Sequence, residues 1–305
     1  MYHTPVLLNP SIDALNIHPG GIYVDVTFGG GGHSREILRR FADDTTAHLY
    51  AFDQDPDAEQ EAQKINDPRF TFIRSNFRWL SNFMRYHDVP QIDGLLADLG
   101  VSSHHFDDAS RGFTFRDPEA PLDMRMNPRE GLTAADILRD YTEERLATLF
   151  HLYGELRDSR RLAAAIVRAR VERPLQTAAD LLEVVQPILA HDKAKNPQAR
   201  LFQALRIEVN HEMDALRDLL LAATDLIAPD GRLVVLTYHS LEDRLVKNLV
   251  RTGNVEGTLQ QDPIYGTLSS PWRAVGQSIV PSEAEQQSNP RSRSAHLRIA
   301  QKQKN

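Results

Sequence analysis

The chain has 305 residues, 41% hydrophobic and 25% charged, enough for one large or two modest soluble domains. A net charge of −7 excludes an overall basic surface of the kind general nucleic-acid binders carry, and the absence of Cys excludes disulfides, thiolate metal sites and thiol nucleophiles. The start Met1-Tyr2-His3-Thr4-Pro5 has no basic n-region or long apolar core, and no window approaches the ~20 apolar residues of a membrane span, so a cytoplasmic protein away from membranes is expected.

In chain order, Ile22 to Thr27 is a predicted strand, His33 to Phe41 a helix, Leu49 to Asp53 a strand and Ala58 to Ile65 a helix. Phe70 to Ile73 is a strand, Trp79 to Tyr86 a helix, and Ile92 to Leu99 an apolar strand ended by Gly100. This alternation predicts an α/β fold with a doubly wound parallel sheet, right-handed crossovers and helices on both faces. From Phe106 to His211 helical periodicity replaces the strands. Thr133 and Thr177 are N-cap candidates, Asn196-Pro197 is a cap and N1 pair, and Pro174 stops an arginine-rich helix from Ser159 to Glu172. Residues 1–105 and 212–305 are therefore expected to form one ligand-binding domain interrupted by an all-helical insertion, 106–211. The sheet resumes after Pro229-Asp230-Gly231 with Arg232 to Tyr238, followed by a helix from Glu242 to Arg251. Residues 253–289 read as irregular, and His296 to Ala300 as a final strand at the sheet edge.

Tyr23 to Ser34, Tyr-Val-Asp-Val-Thr-Phe-Gly-Gly-Gly-Gly-His-Ser, runs from a strand through four glycines into a helix, a turn on which backbone N–H groups approach a ligand closely. Asp53 stands where an acid at the end of the second strand holds a ribose. The third Gly of a dinucleotide turn is missing, and Gly32-His33-Ser34 has no P-loop Lys. Asp25, the glycine turn and Asp53 together suit a ligand with adenosine at one end and an amino acid at the other, S-adenosylmethionine. Asp98-Leu99-Gly100-Val101-Ser102-Ser103 places a carboxylate at the carboxyl edge of the sheet, where it can orient an amine nucleophile. No metal site is expected: adjacent His104 and His105 on an extended segment point in opposite directions. Two local basic clusters stand against the acidic background, Arg157 to Arg173 and Arg291, Arg293 and Arg298.

Eight stretches in this order resemble one family: His3-Thr4-Pro5-Val6-Leu7-Leu8, Asp25 to Ser34, Asp98 to Ser103, Arg111-Gly112-Phe113, Pro121-Leu122-Asp123-Met124-Arg125-Met126, Phe202 to Ile207, His239-Ser240-Leu241-Glu242-Asp243-Arg244 and Asn289-Pro290-Arg291-Ser292-Arg293-Ser294. They are similar to the bacterial 16S ribosomal RNA cytosine N(4)-methyltransferases of the MraW type. The resemblance implies a class I (Rossmann-like) methyltransferase domain carrying a helical substrate-recognition insertion. It also implies S-adenosylmethionine as methyl donor and a cytidine in the decoding region of 16S rRNA, within the small ribosomal subunit rather than DNA, as substrate. It places Gly31, Gly32 and His33 along the cofactor, Asp53 on its ribose, and Phe77 and Asp98 at the adenine or methyl-donor end. A further contact falls on His105, where the family usually has Gln; Tyr238 stands where Phe is commoner, and Ala120 where Gly usually precedes Pro-Leu-Asp-Met-Arg.

In the implied reaction Asp98 takes the proton of the cytosine amine. Arg125, Arg291 and Arg293 are expected on phosphates, Asp123 and His239 on the base, and Ser240 and Asn289 beside them on the substrate side. Two rivals remain: a methyltransferase for a small-molecule or protein amine, and a binding module that holds the cofactor without transferring the methyl group.

Overall fold

The computed structural model describes residues 5–101, 106–192, 196–259, 261–262, 266–267 and 270–304. In chain order its elements begin with α1 (Leu8–Ala14), β1 (Ile22–Asp25), α2 (Gly32–Arg40), β2 (His48–Asp53), α3 (Pro56–Ala62), β3 (Phe70–Arg74), a 3-10 turn at Phe77–Trp79, α4 (Leu80–Tyr86) and β4 (Ile92–Asp98). Among the described residues there follow a 3-10 turn at Ala109–Arg111 and the helices α5 (Ala134–Asp140), α6 (Glu143–Leu152), α7 (Ser159–Glu172), α8 (Ala178–Leu189) and α9 (Pro197–Asn210). Then come α10 (Glu212–Leu226), β5 (Ile227–Thr237), α11 (Ser240–Thr252), a two-stranded ribbon of β6 (Gln261–Asp262) and β7 (Gly266–Thr267), β8 (Trp272–Ala274), α12 (Glu283–Ser288), a 3-10 turn at Pro290–Ser294, and β9 (His296–Lys302). The chain divides into two compact units, one being Val101–Glu212 and the other the segments on either side of it.

The sheet unit has strand order β3-β2-β1-β4-β5-β9-β8. The first five strands are parallel, and β9 and β8 are antiparallel to their neighbours. Side chains alternate between faces along each strand. Val24, Leu95, Ala97, Leu233 and Val235 enter one apolar layer with Leu80 and Met84 of α4, Leu219 and Leu220 of α10 and Leu249 of α11. Tyr23, Leu96, Val234 and Leu236 enter the opposite layer with Ile12 of α1 and Ile37 of α2. Both faces are thus covered, which is why these strands read as continuous apolar runs. The strand order reverses between β1 and β4, and it is beyond the carboxyl ends of the strands at such a reversal that doubly wound sheets bind their ligands.

In the sheet three readings change. The last strand does not form the sheet edge: β9 pairs with β5 on one side and with β8 on the other. β8 lies in the stretch read as irregular; its Trp272 is buried in the core and donates its indole N–H to Thr224 Oγ1 at 3.2 Å, a tertiary role that three residues carry without any periodicity. β5 begins at Ile227, ahead of Pro229-Asp230-Gly231, because the left-handed Asp230 (φ 69°) is absorbed within the strand beside a register shift against Ile92 and Gly94.

In the helical unit Thr133 and Thr177 cap α5 and α8, each in a reciprocal capping box with Asp136 or Asp180. Pro197 opens α9, but Asn196 is left-handed (φ 53°) and makes no side-chain cap bond, so its capping role is not realised. Leu138, Leu146, Phe150, Leu162, Ile166, Leu181 and Leu205 form the core of this unit. The arginine-rich helix serves that core in part: Arg170 donates to the Leu138 and Tyr141 carbonyls, both at 2.7 Å, and so satisfies the C-terminal end of α5. Among the described residues no helix is long and apolar enough to cross a membrane.

Candidate active site

Three strands of the sheet unit end in acids: Asp25 on β1, Asp53 on β2 and Asp98 on β4. The strand register brings these ends to one edge of the sheet, and the glycine turn between β1 and α2 lies there as well. Gly31 is the N-cap of α2 in the left-handed region (φ 73°), and a Cβ built on it would lie 2.6 Å from the Phe28 ring, so this position demands glycine twice over. Gly32 opens the helix and faces Pro5, whose Cγ would sit 2.2 Å from an added Cβ. A Cβ at Gly29 meets nothing within 4 Å, so the open side of the turn is there.

Asp53 fixes that turn. Its carboxylate accepts from the Gly29 amide at 2.8 Å and from the Asp55 amide at 2.9 Å. Asp25, read from the sequence together with the glycine turn and Asp53 as suiting an adenosine- and amino-acid-bearing ligand, is fully buried and turned inward, accepting from Ser34 Oγ at 2.6 Å and from the Thr27 amide at 3.1 Å. Burial pushes its carboxyl up and pushes the neighbouring His33 imidazole down. His33 lies beneath the turn with Nδ1 3.7 Å from Asp98 Oδ2, while its buried Nε2 has no hydrogen-bond partner.

Asp98 is held from several sides. Its amide donates to Thr27 Oγ1 at 2.7 Å, and its Oδ1 accepts from the Tyr238 hydroxyl at 2.7 Å. Burial raises its pKa to about 7; the Tyr238 hydrogen bond opposes that rise and the nearby Glu242 charge adds to it. Tyr238 is pushed well above the ordinary phenol value by burial and by Asp98, so it remains a donor. Tyr238, Thr27 and Glu242 carried no expected site role. The sequence signals for Tyr238 were its place at the end of a strand and its standing where the resembling family more often has Phe, and Thr27 is visible as the residue two beyond Asp25.

His239 is the N-cap of α11: its Nδ1 accepts from the Glu242 amide at 3.4 Å and its Nε2 lies 3.0 Å from Glu242 Oε1. Ser240 is the exposed first residue of that helix. Phe77 opens the 3-10 turn after β3 and packs, half-buried, against the core. Asn289, Arg291 and Arg293 lie at the turn following α12, with both arginines exposed. Through Glu285, α12 holds the Leu7 amide at 2.7 Å. His105 lies outside the described residues.

Asp123 and Arg125 belong to the helical unit and engage one another in a bidentate pair at 2.9 and 2.8 Å around the left-handed Met124 (φ 62°). Asn210 fastens this loop, accepting from the Met126 amide at 2.7 Å and donating to the Met124 carbonyl at 2.8 Å. Arg125 is therefore neutralised locally, where the sequence reading had it waiting for a phosphate.

This mixed sheet of five parallel strands extended by two antiparallel ones, with its glycine turn at the reversal point and acids on the flanking strand ends, defines a Rossmann-like methyltransferase fold. The chain matches the model of the MraW methylase family over residues 1–303 and belongs to that family; it is a methyltransferase. It is 60% identical over 302 residues to "Ribosomal RNA small subunit methyltransferase H" of Bacteroides thetaiotaomicron, covering 99% of this chain and 97% of that protein. Proteins of the same name from Phocaeicola vulgatus and Cytophaga hutchinsonii are 58% and 48% identical, covering 99% of this chain and 98% and 100% of theirs.

Proposed function

We propose that the protein methylates the exocyclic N4 amine of a cytidine in the decoding region of 16S rRNA, using S-adenosylmethionine, on the small ribosomal subunit in the cytoplasm. The observation that carries this reading is Asp98, a carboxylate at the strand-order reversal whose pKa of about 7 suits it to accept a proton near neutral pH. Full-length similarity to ribosomal RNA methyltransferases supports the choice of substrate.

The residues present fit the donor: the turn is open at Gly29, and the buried His33 Nε2 lacks a partner. Gly31 and His33 line it, Asp53 takes the ribose, and Phe77 stands beside the adenine; Gly32, faced by Pro5, shapes the turn from behind. When bound, S-adenosylmethionine supplies a methyl group already activated by a positively charged sulfur. The protein's task is placement of the amine, worth up to roughly 7–11 kcal/mol when orientation is good. Cytosine's amine is a weak nucleophile because its lone pair is delocalised into the ring. Asp98 accepts one N–H, localises that pair and takes the proton, a contribution of about 10²- to 10⁴-fold. The base must leave its stack at a cost of a few kcal/mol. Arg291 and Arg293 on backbone phosphates offset that cost, with Asn289, His239 and Ser240 on the same side. The helical unit presents Asp123 and Arg125 to the RNA, its Arg125 exchanging part of its pairing with Asp123 for a phosphate.

Incubation with radiolabelled S-adenosylmethionine and, separately, undermethylated small subunits, free 16S rRNA and cytidine tests this. Label is expected in the rRNA of the subunit. Turnover with the small molecule alone, or donor binding without transfer to any substrate, overturns it.

A further inference from the structure

Asp98 and Tyr238 are brought together by the register of two parallel strands. Asp98 pairs with Leu236 across β4 and β5, and the Leu99 amide donates to the Leu236 carbonyl at 3.0 Å. Tyr238 follows two residues later, and its hydroxyl reaches Asp98 Oδ1 at 2.7 Å. The ring lies over Gly100, where an added Cβ would stand 3.6 Å from it, and the Tyr238 amide is held by Glu242 Oε2 at 2.8 Å. The side chain is thus fixed at both ends, and a phenol has one proton to donate.

We propose that Tyr238 is a positioning residue for methyl transfer: by occupying Asp98 Oδ1 it fixes the plane of the carboxylate and leaves Oδ2 to receive the proton of the target amine. This rests on the reading of Asp98 as proton acceptor. With the donor bound, the amine's lone pair would form the bond to the methyl carbon while the methyl–sulfur bond breaks, its pair passing to sulfur to leave a neutral thioether; one N–H bond breaks, its electron pair stays on nitrogen and its proton goes to Oδ2, and Tyr238 keeps its own proton throughout. The charged and titratable groups around the pair are Glu242 on α11, Glu285 on α12, His33 on α2 and Asp25 on β1. The phenol supports the ionised carboxylate against the burial and Glu242 charge that oppose it, so removing the hydroxyl raises the Asp98 pKa.

Tyr238→Phe keeps the ring over Gly100 and deletes only the hydroxyl. Carbon-13 titration of Asp98 in the ligand-free protein is expected to move upward by roughly one unit, and the acidic limb of kcat with it, while donor binding by calorimetry stays constant. Incorporating 3-fluorotyrosine at 238, an isosteric and stronger donor, moves both downward and keeps the test open should Tyr238→Phe not fold. If neither replacement shifts titration or limb while Asp98→Asn is inactive, the positioning role is wrong. If Asp98→Asn itself retains turnover, it is the proton-acceptor reading that fails, and the proposal with it.

Discussion

Asp53 accepts the Gly29 amide proton at 2.8 Å, so the acid at the end of β2 and the first glycine of the turn are one structural unit. A ribose held by Asp53 is therefore registered directly against the backbone that faces the rest of the donor. Asp53→Ala is expected to weaken donor binding by about 10- to 100-fold, the scale of a lost charge-assisted hydrogen bond, with Asp53→Asn falling between it and wild type. Calorimetry with S-adenosylhomocysteine measures this; an unchanged Kd in Asp53→Ala would remove Asp53 from the binding site.

The raised pKa of Asp98 makes two statements about pH. Its carboxylate forms only above about 7, so kcat should climb as pH rises through that value and then level off; a flat profile between pH 5.5 and 8.5 contradicts the role. For stability the sign is reversed. A carboxyl whose folded pKa is raised contributes stability at low pH that is lost as pH rises from the unfolded value of 3.8 through about 7. Asp98→Asn should therefore abolish most turnover and yet raise Tm relative to wild type at pH 8, with little gain at pH 4.

Gly112 packs against the loop that carries Asp123 and Arg125. A Cβ there would lie 2.1 Å from the Pro121 carbonyl oxygen at φ +75°, and backbone cannot swing aside. Gly112→Ala is expected to cost at least about 1–3 kcal/mol, read as a lowered Tm. Gly131→Ala, with nothing within 4 Å of the new Cβ, is the control for backbone strain alone, and equal losses in the two variants would discount the steric argument.

Arg291 and Arg293 are exposed on the turn after α12. Replacing each with Ala should reduce the slope of log K against log salt for rRNA binding by about one. Arg125→Ala should do less, because Asp123 already shares its charge. Slopes unchanged in the Arg291 and Arg293 variants would place the phosphate contacts elsewhere.

The first four strands, the glycine turn and the acids at the strand ends were legible because each is encoded locally, as apolar runs, consecutive glycines and an acid where a strand stops. The Tyr238–Asp98 bond was not: its partners are separated by 140 residues, and only the pairing of β4 with β5 on either side of the helical unit brings them together. The inward turn of Asp25 escaped for a related reason. Its type and place suggested a ligand contact, whereas Ser34, nine residues on, claims it within the fold. The pairing of Asp123 with Arg125 was within reach of the sequence, since opposite charges flank one residue, but the left-handed Met124 that lets them meet has no sequence signature.

The atom that receives the methyl group defines the reaction. Small subunits from cells lacking the enzyme, incubated with the protein and deuteromethyl S-adenosylmethionine and then digested to nucleosides and to mapped oligonucleotides, identify it by mass spectrometry. The expected result is a deuterated methyl on N4 of one cytidine in the decoding region of 16S rRNA, absent with Asp98→Asn. Methyl on C5 or a 2′-oxygen, on a ribosomal protein, or on no component of the subunit would contradict it.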